Sequence, residues 1–245
     1  MKLQSFQLTS AGDKEINQDA MGRIMREDYS VFVVADGLGG HQSGEKASRY
    51  FCQGILQLAD TYSRKIESNP IKTVSEWFDA AVLEMKRLFG DDPSAADAHT
   101  TCALLYLDDT RAITAHCGDS RVYRINPTKV LWRTQDHSIT QQLLDEGVIS
   151  EHEMGLHPEQ NQLTRSINIR QAQTPEIHVY PAMKLGETFL LCTDGFWEFV
   201  KPTELIELGQ PESGKSELGK IARLSMLRAK GRCDNITVQW VRNVG

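Results

Sequence analysis

Five aspartates recur in one kind of place: Asp19 in NQDA, Asp36 in VADG, Asp119 in CGDS, Asp194 in CTDG and Asp234 in CDNIT. Each stands at the edge of a segment that reads as a strand, and three are followed by Gly or Ser. A single Asp before Gly is ordinary turn chemistry. Five together mean more. If those edges converge, carboxylates within a few ångströms of one another repel and take up protons unless a cation holds them. No cluster of Lys or Arg accompanies them, so a divalent ion is the natural counter-charge. An all-oxygen donor set selects a hard ion, Mg²⁺ or Mn²⁺, over zinc. The stretch VVADGLGGHQSGEKAS, residues 33–48, therefore poses a choice between a phosphate cradle, a metal site and a tight turn.

Other chemistries fail on spacing. A GxGxxG cradle beginning at Gly37 would need glycine where Gln42 stands, and no GxxxxGK[ST] exists. HEMGLH resembles a zinc-binding helix, but His152 and His157 are five residues apart instead of four and read as surface histidines. None of the five cysteines has an arginine six positions downstream, which a cysteine-phosphatase loop requires. Lacking CxxC spacing and lying in apolar runs, they read as small packed hydrophobes in a reducing compartment. The net charge is -6 with scattered basic residues and a pI near 5.7, which excludes a nucleic-acid footprint. No apolar stretch has the length of a membrane span, and MKLQSFQLTSAGDKE lacks a signal-peptide core; a cytoplasmic protein with no membrane partner is expected.

The elements that must position these residues are legible in outline. KLQSFQLTS alternates like a half-buried strand, and SVFVVAD is a continuous apolar run of the kind covered on both faces. One helix lines up Ala47, Phe51, Ile55 and Leu58; a second, from about Val74, lines up Val74, Trp77, Phe78, Ala81, Val82, Met85, Leu88 and Phe89. GDDPSAADAH reads as a loop. TTCALLYL, RAITAHCGD, SRVYRI and KVLWRT follow as strands with short turns between them, which predicts an antiparallel meander. Residues 136–180 read as an appended flap with helices at Ser138–Glu146 and near Ser150–Leu156. ETFLLCTDG is a buried strand ending in Asp194, KPTELIEL opens a helix with Pro202 in its first turn, SELGKIARLSMLRAKG is an amphipathic helix stopped by Gly231, and DNITVQWVR is a closing strand. With 245 residues, no linker and no repeat, the pattern predicts one domain, 1–245, of α+β class: two packed antiparallel sheets flanked by helices.

Taken in order, NQDA, ADGLGGHQSGEKAS, TTCALLYLDDTRAITAHCGDSRVYRI, DHSIT, LTRSI, LLCTDGFWEFV and CDNITV resemble the PP2C family of metal-dependent serine/threonine protein phosphatases in its bacterial form. Any one motif is weak; seven in the family's order across almost the whole chain are specific. The resemblance implies a four-layer αββα fold whose central β-sandwich carries two Mn²⁺ or Mg²⁺ ions at one end. It implies that Asp36 bridges both ions with the Gly37 carbonyl as a second ligand, that Asp194 and Asp234 hold the other ion, and that Asp19 acts directly or through water. Asp119 matches a ligand of a third, weaker ion shared with Asp194. Two ions about 3.5–4 Å apart generate a hydroxide that attacks phosphorus in line, so no phosphoenzyme is needed. The chain departs from the family at Lys14, where an arginine usually grips the phosphate, and at His99, where a glycine usually precedes the paired threonines. Lysine keeps the charge and loses the planar fork. His41 is a candidate proton donor to the leaving alkoxide or a residue that supports the metal ligands.

The implied partners are phosphorylated proteins and a cognate serine/threonine kinase that a monomeric enzyme opposes. Beside this reading stand a regulator whose surface, not its site, does the work, and two further rivals. One is a catalytically weak regulator of the same fold that binds phosphoproteins; lost metal ligands would mark it, and all five aspartates are present. The other is a nucleotide-binding domain using DGLGG as a cradle.

Overall fold

The structure, a computed structural model, describes residues 1–39, 42–171 and 174–245. The strands are β1 (Leu3–Ser10), β2 (Asp19–Met25), β3 (Tyr29–Leu38), β4 (His99–Thr100), β5 (Cys102–Asp108), β6 (Arg111–Cys117), β7 (Arg121–Ile125), β8 (Val130–Arg133), β9 (Ile167–Asn168), β10 (Glu176–Pro181), β11 (Thr188–Cys192) and β12 (Ile236–Asn243). The helices are α1 (Gln42–Ser63), α2 (Pro70–Phe89), α3 (Ile139–Asp145), α4 (Glu151–Met154), α5 (Asp194–Trp197), α6 (Pro202–Glu207) and α7 (Lys215–Ala229). One sheet runs β1-β12-β11-β7-β8; the other runs β10-β6-β5-β3-β4-β9, with β2 paired to β3. The described strand pairs are antiparallel.

Period-two alternation builds the layers. On β3, Val31, Val33 and Ala35 pack under α1 and α2 with Phe51, Trp77 and Phe78, while Phe32 and Val34 face the opposite sheet. On β11, Phe189 and Leu191 meet Phe32 and Leu105 between the sheets, while Leu190 and Cys192 pack with Leu218 and Ile221 of α7. Both sheets are thus covered on both faces, and three apolar layers separate the four layers of the expected αββα fold. The helix α2 begins at Pro70, ahead of the expected Val74, because Asn69 caps it by accepting the Lys72 N–H at 3.1 Å and Pro70 suits the first turn. All five cysteines are buried and free. No described helix is long and apolar enough to cross a membrane.

Three expectations need correction. The meander is broken: β5 pairs with β6 and β7 with β8, but β6 and β7 lie in different sheets, and the chain crosses between them through Gly118–Ser120. The flap is not wholly appended, since Ile167–Asn168 and Glu176–Pro181 of that segment enter the larger sheet as β9 and β10. The loop after α2 contains a 3₁₀ turn at Pro93–Asp97 and then β4. Residues Asp19–Met25, unassigned from sequence, form edge strand β2.

Candidate active site

The sheet crossing and the strand ends bring the aspartates together at one end of the sandwich. Lys14, Asp36, Gly37, Asp119, Asp194 and Asp234 line a cleft of about 240 Å³, with Asn161 and Leu163 of the flap on its rim. Asp36 does not end its strand; β3 continues to Leu38, and Asp36 faces Asp19 across the β2–β3 ladder. Asp119 sits in the β6–β7 crossing, Asp194 opens α5, and Asp234 precedes β12. His41 lies outside the described residues.

Backbone and side-chain bonds from distant segments hold several of the aspartates. Thr101 donates its N–H to the Asp36 carbonyl (2.8 Å) and its Oγ1 accepts the Asp36 N–H (2.9 Å), while Thr100 Oγ1 donates to the same carbonyl. Thr193 Oγ1 donates to Asp19 Oδ2 (2.8 Å). The Asn235 side chain accepts the Gln18 N–H and donates to the carbonyls of Ala11 and Ile16, tying the NQD loop to β12. Beneath Asp119, buried Arg121 makes a bidentate pair with Asp136 (2.8 and 2.6 Å) and stacks over Trp197, whose Nε1 donates to the Asp119 carbonyl. These partners lie far apart in the chain, and sequence reasoning missed their roles. The paired threonines and the Asn after Asp234 stood inside the quoted motifs and were the available signal.

Gly37 is required by close approach. A Cβ there would lie 2.0 Å from the Gly44 carbonyl oxygen and 2.7 Å from that of Gln18. On its Cβ side Gly37 therefore packs directly against the chain's own backbone, where no side chain fits. Gly118 has φ +98°, and a Cβ there would meet the Thr101 side chain at 2.7 Å.

Burial and mutual repulsion dominate the electrostatics of the carboxyl groups. Burial pushes the Asp19 carboxyl up to about 7. Burial, then the nearby Asp136, pushes Asp119 up to about 7. Asp36 is raised well above the usual carboxylate range by burial and then Asp19, and Asp194 by burial and then Asp36. Glu198, next to this group, is raised to about 8 by burial and then by Asp119 and Asp234; its acidity was not foreseen. Asp19 Oδ1 and Asp119 Oδ1 are buried with no hydrogen-bond partner. Buried carboxylate oxygens without donors suit a divalent ion. The nearby ammonium of Lys14 donates to Asp234 Oδ2 at 2.8 Å, and that bond raises its pKa. His99, uninterpreted from sequence, bonds through Nδ1 to Ser166 Oγ at 2.9 Å, linking β4 to the flap.

The fold and cleft define a class: a two-sheet sandwich between helix layers, with an acid-lined site at one end of the sheets. A family model described as protein phosphatase 2C matches residues 9–213, and the chain belongs to that family. The protein phosphatase PhpP of Streptococcus pneumoniae is 30% identical over 244 residues, covering 96% of this chain and 95% of that protein. Among solved structures, the Mycobacterium tuberculosis serine/threonine phosphatase PstP/Ppp superposes with a TM-score of 0.84 at 23% identity over 99% of both chains. The PstP catalytic domain in complex with two manganese ions gives 0.77 at 22% identity over 99% of both. At those identities the structural likeness is one of fold.

Proposed function

We propose that this chain is a metal-dependent protein phosphatase that hydrolyses phosphoserine and phosphothreonine in proteins. The observation that carries the reading is the convergence of Asp36, Asp119, Asp194 and Asp234 on one cleft, with Asp19 paired to Asp36 and buried oxygens of Asp19 and Asp119 left without donors, in a chain of the protein phosphatase 2C family. Asp36, with the Gly37 carbonyl, Asp19, Asp194 and Asp234 would hold two Mn²⁺ or Mg²⁺ ions; Asp119 and Asp194 would hold a weaker third. The manganese in the PstP structure supports that choice of ion. When bound, such ions lower the pKa of water and clamp the oxygens of an in-line displacement.

The chain's own residues do the rest. Thr100 and Thr101 fix the Asp36 peptide from two sides, and Thr193 bonds the Asp19 carboxylate, so the backbone that carries Asp36 and one oxygen of Asp19 are set before any ion arrives. Lys14 stands at the rim, free to exchange Asp234 for a substrate phosphate. Asn161 and Leu163 of the flap border the entrance and help shape what enters. His41 keeps its proposed place as a proton donor or a support to the ligands. The protein is proposed to work as one domain over 1–245, as a monomer in the cytoplasm, opposing a serine/threonine kinase; the buried free thiols suit a reducing compartment.

The test is hydrolysis of a phosphothreonine peptide by metal-stripped protein. Activity is expected to require added Mn²⁺ or Mg²⁺ and to vanish in chelator, and Asp36→Asn is expected to lower kcat by more than about tenfold. Equal turnover in excess chelator, or an unimpaired Asp36→Asn variant, refutes the reading.

A further inference from the structure

Away from the aspartate cleft, the described residues bring a second set of metal-capable donors together. His116 on β6, His137 at the entry to the flap and Glu176 on β10 offer ligand atoms that all lie within 4.8 Å of one another. His116 and Glu176 are register partners across the β6–β10 ladder, and the His116 and His137 rings stack parallel, 2° apart, with centroids at 4.7 Å, so one ring must tilt before both in-plane lone pairs reach one ion. His137 Nε2 stands 3.4 Å from Glu176 Oε2. That matches the separation of about 3.4 Å between two ligands of a tetrahedral zinc with bonds of about 2.0–2.1 Å.

His116 supplies the independent observation. It is fully buried, and its Nε2 lies 2.7 Å from the Gln135 carbonyl oxygen. The proton is therefore on Nε2 and the lone pair on Nδ1, and this buried Nδ1 has no partner. A histidine with one nitrogen donating to a backbone carbonyl and the other open is prepared as a ligand is prepared. Two imidazoles and a carboxylate make a donor set for a zinc-class ion, unlike the oxygen-only cleft that selects Mg²⁺ or Mn²⁺.

We propose that His116, His137 and Glu176 form a second metal site for a zinc-class divalent ion, with water or His178 completing the tetrahedron. His178 Nε2 already lies 2.8 Å from Glu176 Oε1. The Arg165 guanidinium, 3.5 Å from His137 Nε2, is on an exposed residue and swings into solvent when the ion enters.

Occupation has a consequence for the cleft. His137 Nδ1 accepts the Gly118 N–H at 3.2 Å. To offer Nε2 to an ion, the imidazole must carry its proton on Nδ1, where it faces that N–H and the hydrogen bond is lost. Gly118 precedes Asp119, so an ion here loosens the turn that presents Asp119. This effect on turnover rests on the proposed phosphatase reading; the binding of the ion does not.

The experiment uses the whole protein in excess Mg²⁺, which fills oxygen sites and competes poorly for imidazole. Titration with Co²⁺ is expected to raise the intense visible absorption of a tetrahedral cobalt centre, saturating at one equivalent per chain. That band is expected to disappear in His116→Ala and in Glu176→Gln, the latter a near-isosteric change at a half-buried site that leaves the fold intact. No tetrahedral band in the wild type, or a band that persists in both variants, overturns the site. In the same Mg²⁺ excess, Zn²⁺ is expected to lower kcat by roughly tenfold in the wild type and to leave Glu176→Gln almost unaffected. Equal inhibition of both overturns the coupling to Asp119. No phosphatase activity in Mg²⁺ alone counts against the proposed function and leaves the cobalt result to decide the site.

Discussion

Removing the Asp119 charge is expected to stabilise the metal-free protein. Asp119 is buried, its Oδ1 has no partner, and burial followed by Asp136 pushes its pKa from an ordinary 3.8 up to about 7. In the unfolded chain the carboxyl ionises freely. A folded-state pKa above the unfolded value means that the folded form loses stability as pH rises. The penalty is absent below about pH 4, grows between about pH 4 and pH 7, and is constant above. A gap of about three units corresponds to ~4 kcal/mol at most, and rearrangement of the neighbouring carboxylates and entering water cut this to ~2 kcal/mol. Asp119→Asn removes the charge at almost unchanged shape. In chelator at about pH 8 the variant is expected to gain ~2 kcal/mol, a Tm increase of roughly 4–8 °C for a chain of this size. The gain shrinks as pH falls toward about 4, and in Mn²⁺ the wild type recovers its advantage. The turn does not need the carboxylate: His137 holds Gly118 by accepting its N–H and donating to its carbonyl, and Trp197 holds the Asp119 carbonyl. Thermal unfolding with and without chelator reads the effect. A variant that melts earlier than wild type in chelator at about pH 8 would show that Asp119 serves the turn and refute the electrostatic argument.

Lys14→Ala is expected to change stability by ~1 kcal/mol or less, because the pair with Asp234 is half exposed, while raising KM for a phosphothreonine peptide. Lys14→Arg should keep or lower that KM through a bidentate grip, and an unchanged KM in the alanine variant removes Lys14 from the site. Gly37→Ala places a methyl 2.0 Å from the Gly44 carbonyl oxygen, so a loss of about 2–3 kcal/mol or more and a collapse of activity are expected; a wild-type melting temperature contradicts the packing described here.

Much of the site was legible because its signals are local. Asp36 and Asp194 announce themselves by an apolar run followed by Gly, and the period of 3.6 from Val74 to Phe89 identifies α2 without any knowledge of its neighbours. The order and spacing of the aspartate motifs was enough to suggest the family. Local signals say nothing about which edge a strand joins. SRVYRI reads the same whether it pairs with RAITAHC or crosses to the other sheet, and it crosses: β7 joins β11 and β8, and only this crossing hangs Asp119 between the sheets. Likewise Glu198 is an unremarkable residue in sequence, and its raised pKa comes from burial beside Asp119 and Asp234. His116, His137 and Glu176 are far apart in the chain and meet because β10 pairs with β6 while the flap entry folds back over Gly118. Residue types and periodicities are properties of the chain alone, whereas strand partners, burial and the electrostatics that follow from them depend on contacts between distant segments, which only the assembled sandwich decides.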